Sequence, residues 1–388
     1  MSTGLWMLAL TTSRAAIVAA LPWTGDPAAA RVERTVPMMG TVLELVVEAE
    51  DRQAALAASE RAIRALEAAE ARLSTWREDS ELSRLNRAPV GEPTRLSPEL
   101  SSELEAAVGC FEQTGGAFDP GIGAVLDAWA LRDGGRVPST AELAAARASG
   151  GFAALALEGE KPGGAESPVE VAGGGRATRR RPAATAAEAA MGRAGPGGVR
   201  VTRLHAGLRI EEGAWGKGAG LDRAVEALAA VDRPVRALLD LGGQVSVAGG
   251  GPAWEVEVAD PRQRERPVLR LSLAAGSVAT SGGSERSLSV NGRRLSHIFD
   301  PRTGRPAPDF GSLTVVAQDG LTADCLSTGL YVLGPEAALA WAAERDGIEV
   351  LVLEPRGAGL LARVTPGLAG RVEVLYQGVT LEVFSRPP

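Results

Sequence analysis

Between Gly159 and Gly198 the chain carries almost no large apolar side chain, and that gap decides how the rest can fold. The stretch is Gly, Ala, Pro and Arg, with Ala172-Gly173-Gly174-Gly175 and the basic run Arg179-Arg180-Arg181. Such a composition cannot bury enough surface to offset the entropy of ordering its backbone. Residues 159–198 are therefore expected to be a mobile insertion, the alternative being an arm that docks on an acidic partner. Any core must then be shared between residues 31–158 and 199–388.

Both flanks carry regular patterns. Thr41–Glu48 alternates as a strand, with Leu43, Leu45 and Val47 on one side. Residues 51–73 read as an amphipathic helix with Ile63, Leu66 and Leu73 on one stripe. Ser97-Pro98-Glu99 supplies a capping hydroxyl and a proline at the first helical position. Leu100, Leu104, Val108 and Phe111 follow at helical spacing until Gly115-Gly116, and Pro138-Ser139-Thr140 opens a shorter helix to about Ala148. Beyond the gap, strands are predicted at Val199–Leu204, Arg236–Leu241, Trp254–Val258, Val268–Leu273, Leu313–Ala317 and Glu349–Leu353. Helices are predicted from Lys217, over Ala323–Leu333 and over Pro335–Arg345, and Arg371–Phe384 reads as a hairpin around Gln377-Gly378. Strands and helices mix without strict βαβ alternation, so the expected class is α+β.

Composition narrows the chemistry. At 45% hydrophobic and 23% charged residues this is a globular composition. A net charge of -7 offers no basic footprint, which argues against a nucleic-acid partner. No apolar run reaches the length a membrane span needs. Cys110 and Cys325 are the only cysteines, in no CxxC or Cys/His cluster, so zinc is not expected. His205 and His297 are the only histidines; His205, at a predicted strand end, reads as incidental. Residues 1–30 weakly resemble a signal segment: Arg14 precedes the apolar Ala15–Leu21, and Ala28-Ala29-Ala30 offers an A-x-A cleavage site. Residues 1–13 have no positive side chain, which argues against a signal; export to the periplasm or cell envelope is still the expectation and a cytoplasmic location the alternative.

Several short segments could carry chemistry. In Ala323-Asp324-Cys325-Leu326-Ser327-Thr328-Gly329, Asp324 and Thr328 would share a helix face with Ser327 beside them. These hard oxygen donors suit magnesium, although an Asp near a helix start is more often a cap. Glu211 to Asp222 places four glycines around Lys217 at a helix start. That arrangement allows either backbone approach to phosphate or a plain tight turn, and matches neither the Walker nor the Rossmann spacing. His297 precedes Asp300-Pro301-Arg302-Thr303-Gly304, which is turn chemistry, and could accept a proton near neutral pH or be merely structural. Thr114 to Pro120 puts Phe118 and Asp119 in a glycine-bounded loop, and Thr280-Ser281-Gly282 reads as a turn after a strand over Gly276–Ala279.

In this order the segments resemble the FAD:protein FMN transferase family, also called the ApbE family. The likeness runs from Met38 to about Leu353 and lapses over 159–198. It is carried by Met39-Gly40-Thr41; Leu73-Ser74-Thr75-Trp76 with Ser80-Glu81 and Asn86; Gly116 to Pro120; Gly216-Lys217-Gly218 with Asp222; Gly242-Gly243; Thr280-Ser281-Gly282; His297 to Pro301; and Ala323-Asp324 with Thr328. The resemblance implies an α+β, T-fold-like architecture of mixed sheets and flanking helices, with an FAD cleft between its halves. It implies Mg²⁺-dependent transfer of FMN from FAD to a Thr or Ser hydroxyl of an acceptor flavoprotein, as a phosphoester with release of AMP. The acceptor would be a membrane redox subunit or a secreted FMN-binding domain.

Carried over residue by residue, Met39, Trp76, Ala117, Phe118, Asp119, Glu211, Lys217 and the Phe299 backbone would contact FAD. The Ala214 carbonyl, Asp324 and Thr328 would hold the metal, with Ser327 a further candidate. His297 would be the base that activates the acceptor hydroxyl, with Asp324 the other catalytic residue. Two departures stand out: Glu211 replaces a common Asp, and Asp240-Leu241-Gly242-Gly243-Gln244 replaces a pattern of Asn followed by Gly-Gly-Asp. FAD hydrolysis by water and simple flavin binding remain alternatives on sequence alone.

Overall fold

The computed structural model describes residues 30–158, 199–231, 233–283, 287–290 and 293–385. Residues 1–29 of the expected signal segment, and the expected insertion over 159–198, lie outside the described residues.

The chain opens with an antiparallel hairpin, β1 (Ala30–Met38) and β2 (Thr41–Ala49), closed by Met39 and Gly40, both at positive φ. Helix α1 (Arg52–Leu73) begins at Asp51, whose side chain accepts from the Ala54 amide at 2.7 Å. Its buried stripe is mostly small: Ala55, Ala58, Ala62 and Ala69 alternate with Ile63, Leu66 and Leu73, so a second helix can lie close. Then come α2 (Glu81–Arg87), β3 (Pro93–Arg95), α3 (Pro98–Gln113), α4 (Gly123–Ala128), α5 (Thr140–Arg147), β4 (Leu155–Glu158) and β5 (Arg200–Arg203). Strands β4 and β5 pair antiparallel with Glu158 opposite Arg200, so the two ends of segment 159–198 leave from one end of a strand pair. An insertion there needs no rearrangement of the core.

The second part adds α6 (Gly216–Ala229), β6 (Val235–Leu241), β7 (Gln244–Ala248), β8 (Trp254–Asp260), β9 (Gln263–Leu273) and β10 (Gly276–Gly282). Two ribbons follow, β11 (Ser287–Val290) with β12 (Arg293–Ser296) and β13 (Phe299–Asp300) with β14 (Arg305–Pro306). The chain ends with β15 (Ser312–Ala317), α7 (Gly320–Leu333), α8 (Pro335–Ala342), β16 (Glu349–Arg356), β17 (Gly359–Val364), β18 (Val372–Val374) and β19 (Val379–Val383).

Nine strands form one sheet in the order β1-β2-β6-β7-β10-β15-β16-β17-β19, antiparallel throughout except for β17 with β19. Period-2 alternation sorts its side chains between two cores. Leu43, Leu45, Val47, Leu239 and Leu241 meet α1 and α6 on one face. Val46, Leu238, Val247 and Val278 face the opposite way, onto Trp254, Val256, Val258 and Leu271 of the small sheet β18-β9-β8. The α+β class holds: an antiparallel-dominated sheet carries helices on one face and a second sheet on the other.

Three expectations need correction. Arg371–Phe384 is not a hairpin, because β18 pairs with β9 while β19 pairs with β17. Each segment finds an open strand edge elsewhere, and alternation specifies a face but never a partner. Thr280-Ser281-Gly282 is not a turn but the end of β10, paired with Leu313 and its neighbours on β15. Helix α7 starts three residues before Ala323, since Asp319 and Asp222 cap it there. His205 lies in the turn after β5, where its Nδ1 accepts from the Gly207 amide at 2.9 Å.

Candidate active site

The site grows from the crossing of α6 and α7. A Cβ at Gly218 would lie 2.2 Å from the Gly320 carbonyl oxygen, and one at Gly320 would lie 2.7 Å from the Gly218 oxygen. Only paired glycines permit this approach. Asp222, one turn further along α6, accepts from the Gly320 and Leu321 amides and so caps α7 from outside its own chain segment. Burial, with Asp319 alongside, pushes the Asp222 carboxyl well above the usual carboxylate range.

This crossing delivers Asp324, one turn into α7 and nearly fully buried. Its Oδ2 accepts from the Gly218 amide at 3.1 Å and its Oδ1 from Lys217 Nζ at 3.2 Å. Lys217 Nζ also donates to Gln244 Oε1 at 3.2 Å, and Gln244 Nε2 donates to the Gly320 carbonyl at 2.8 Å. The Ala214 carbonyl, just before the helix, accepts no backbone hydrogen bond among the described residues. Thr328 is half-buried on the same face of α7, four residues after Asp324.

Segment 211–217 joins this centre to a second cluster. Thr75 Oγ1 donates to Glu212 Oε2 at 2.6 Å, and its amide reaches Glu212 Oε1 at 3.2 Å. Arg132 donates to Glu211 Oε2 at 2.7 Å and to Thr75 Oγ1 at 3.0 Å, with its guanidinium 4.5 Å from the centre of the Trp76 ring. Trp76 is 74% exposed, so the platform stands open to solvent. Asn86 holds the segment from behind: Nδ2 donates to the Ile210 carbonyl and Oδ1 accepts from the Ile210 amide, both at 2.8 Å. Burial pushes the Glu212 carboxyl up, against the pull of Thr75.

The sequence model of the ApbE family matches residues 39–352, a span that holds both clusters. The chain belongs to the ApbE family. The FAD:protein FMN transferase of Treponema pallidum (strain Nichols) is 31% identical over 342 residues, covering 84% of each chain. That of Vibrio cholerae is 28% identical over 298 residues, covering 75% of this chain and 77% of its own. Among solved structures, the ApbE protein of Thermotoga maritima superposes with a TM-score of 0.69 at 26% identity, covering 84% of this chain and 94% of that one. The flavin transferase ApbE from Vibrio cholerae gives 0.68 at 25%, covering 88% and 99%.

In this ApbE-family chain the expected site residues fall into three groups. Lys217 and Asp324 meet where α6 crosses α7, with Ala214 just before α6 and Thr328 one turn along α7; Met39 packs on the other side of α6, against Gly216 and Gly220. Met39, at φ 48°, bonds through its amide to Glu70 Oε1 at 3.0 Å. Its sulfur packs 3.2 Å from where a Gly220 Cβ would be. Trp76 and Glu211 form the adjoining platform.

The third group lies around these, with the Ala117–Asp119 loop adjoining the platform, since the Glu211 amide donates to the Pro120 carbonyl at 2.8 Å. Ala117 and Phe118 are 1% exposed, and the Phe118 Cβ lies against Gly329 in the core, so any contact these two make with a ligand would be through the backbone. Asp119 Oδ1 accepts from the Gly121 and Phe152 amides at 2.7 and 2.9 Å, fixing a turn; burial outweighs those bonds and pushes its carboxyl up to about 6. Phe299 is buried edge-to-face on Trp129 at 5.4 Å. Ser327 turns into the sheet, bonding Ser281 Oγ and the Asp324 carbonyl, both at 2.9 Å. His297 is half-buried at the bend after β12, on the excursion that leaves β10 beside α7.

Sequence reasoning missed Arg132, Glu70, Glu212 and the role of Gln244. Arg132 sits in a glycine-flanked turn with no motif around it, so only the fold could bring it to Trp76. The Gln244 departure is intelligible after the fact, since an Asp there could not donate to the Gly320 carbonyl.

Proposed function

We propose that this chain transfers the FMN half of FAD to a Thr or Ser hydroxyl of an acceptor flavoprotein, with release of AMP, using Mg²⁺. The observation that carries the reading is the setting of Asp324. A buried carboxylate keeps one oxygen on a backbone amide and the other on a movable lysine, beside a carbonyl free of backbone bonds and a half-buried hydroxyl. Hard oxygen donors on rigid elements fit magnesium, which needs few protein ligands and keeps its waters. Among the described residues no group of three or more His, Cys, Asp or Glu could hold a softer metal. Asp324, the Ala214 carbonyl and Thr328 would be the ligands; Ser327, committed to Ser281, would steady α7 instead. When bound, the ion would offset charge on the pyrophosphate and so ease displacement at phosphorus.

The protein's own groups would do the rest. Trp76 offers an exposed aromatic face for a planar ring, with Arg132 and Glu211 fixing its attitude. Lys217 is 30% exposed at its side chain and lies on a flexible stem, so it can leave Asp324 for a phosphate oxygen. The acceptor hydroxyl would attack the phosphorus of the FMN half and lose its proton to His297. The bond to the AMP phosphate breaks, and AMP leaves. A base within reach of the hydroxyl is worth about 10²–10⁴-fold in rate.

The test is incubation of the purified chain with FAD, Mg²⁺ and a Thr-containing acceptor domain, read by intact mass. One added FMN, lost in Asp324→Ala and on chelation, is the expected result. An unmodified acceptor with FMN and AMP accumulating would replace transfer with hydrolysis, and unchanged bound FAD would leave only a binding protein.

A further inference from the structure

The chain leaves β10 at Gly282 and re-enters the main sheet at Ser312, the start of β15, and the segment between them carries His297. Both ends of that segment close on one side chain of α7. The Tyr331 hydroxyl accepts from the Gly283 amide at 3.1 Å and donates to Asp309 Oδ1 at 3.2 Å. Asp309 Oδ1 also accepts from the Gly311 amide at 3.0 Å, and the Phe310 ring stacks on Tyr331 with centroids 4.4 Å apart. A Cβ at Gly283 would lie 2.6 Å from the Asp309 carboxyl carbon, so the two ends touch. Tyr331 is buried, and burial, with the Asp309 carboxylate alongside, pushes its phenol up and keeps the hydroxyl a donor. Ser327, one turn earlier, bonds Ser281, so α7 grips first the end of β10 and then the neck of the segment.

From this neck the path to His297 is short. Ala307, just before Asp309 in the chain, donates its amide to the Ile298 carbonyl at 2.8 Å, and Phe299 pairs with Pro306. Ile298 is buried and directly follows His297. We propose that Tyr331 is a positioning residue: by closing the neck on α7 it fixes His297 relative to Asp324, which the same helix carries. The inference rests on the reading of His297 as the base that activates the acceptor hydroxyl. Trp129 holds the far side of the segment, donating to the Gly304 carbonyl at 2.8 Å, so loss of the Tyr331 hydroxyl shifts His297 without releasing it.

The untagged full chain is labelled with ¹³C at histidine Cε1, where His205 and His297 give the only two signals, assigned with His205→Gln. In Tyr331→Phe, which keeps the ring on Phe310, the His297 signal should shift while that of His205 stays. Asp309→Ala should do the same, and decides the matter if Tyr331→Phe does not fold. With FAD, Mg²⁺ and an acceptor domain, kcat of Tyr331→Phe should fall about tenfold, part of the roughly 10²-fold that a 1 Å misplacement can cost. KM for FAD should stay within about twofold of the starting value, since the hydroxyl touches no substrate. In a His297→Ala background the Tyr331→Phe change should have no further effect, because no base is left to misplace. An unshifted His297 signal in the folded variants would overturn the proposal, as would a loss of kcat just as large with His297 absent. A wild-type chain that transfers no FMN would instead overturn the proposed function, and the His297 signal would still decide whether Tyr331 holds that residue.

Discussion

Gly218→Ala adds one methyl group and should do disproportionate damage. The new Cβ would meet the Gly320 oxygen at 2.2 Å, its carbonyl carbon at 2.5 Å and the Leu321 amide nitrogen at 2.7 Å. All three are backbone atoms, so no side chain can swing away. A carbon needs about 3.3 Å from a carbonyl oxygen, so α6 and α7 must part by about 1 Å. That movement would stretch the 3.1 Å bond from the Gly218 amide to Asp324 beyond hydrogen-bond range. Overpacking of this kind costs about 1–3 kcal/mol, and losing an amide on a buried carboxylate about 1.5–3 kcal/mol. The total is about 2.5–6 kcal/mol, read as a lower urea midpoint by far-UV circular dichroism. A displacement of about 1 Å at Asp324 should also lower flavin transfer about 10²-fold under conditions where the variant is folded. Gly213→Ala is the control, because an added Cβ there meets nothing within 4 Å. It should change stability by less than about 0.5 kcal/mol. Equal midpoints for the two variants would refute the claim that the helices touch at Gly218.

Further outcomes follow from the same geometry. Asp240, buried and bonded to the Gly243 amide at 2.8 Å, is pushed up from 3.8 to about 7, chiefly by burial. Between those values the folded state binds a proton that the unfolded chain has released, so this group makes stability fall as pH rises. Asp240→Asn keeps the acceptor and removes the titration. It should stabilise the chain by about 1–3 kcal/mol at pH 8 and much less at pH 5, and urea midpoints that differ equally at both values would contradict this. Arg132→Ala should release Trp76 and leave Glu211 with one fewer partner. FAD affinity should weaken about tenfold by fluorescence titration, with little change in melting temperature, because the guanidinium lies at the surface. Asn86→Ala strands both polar groups of Ile210 and should cost about 2–4 kcal/mol in chemical denaturation, whereas a loss below about 1 kcal/mol would mean that water replaces the amide.

The parts of the fold that the chain announces are those whose cause is local. Asp51 and Ser97 cap their helices where capping chemistry says they should. The β2 strand follows from alternation and β6 from a nearly unbroken apolar run, which the structure buries on both faces. The partners of β18 and β19 were not legible, because an edge strand takes its place from whichever neighbour lacks hydrogen bonds, and that is a property of the finished sheet. The reach of β10 through Thr280-Ser281-Gly282 was hidden for a related reason. Small polar residues read as a turn, yet Thr280, Ser281 and Gly282 pair along β15, and their hydroxyls add bonds from Thr280 to Thr314 at 2.9 Å and from Ser281 to Ser327.

The site shows the same division between local and tertiary causes. That Asp324 and Thr328 share a helix face was legible because one helix fixes their spacing. The glycines around Lys217 allowed a phosphate cradle or a tight turn, and the structure gives a third use: Gly218 receives α7, Gly216 and Gly220 receive Met39. Glycine marks close approach without naming what approaches, and here it is the protein's own backbone, thioether and helix end. The consequence for the chemistry is direct. Each small residue in that run shortens the path between α6 and α7, and that shortening lets a lysine and an amide of one helix converge on a buried carboxylate of the other. Substituting Gly218 therefore disturbs the setting of Asp324 as directly as a change at Asp324 itself, although Gly218 has no side chain of its own.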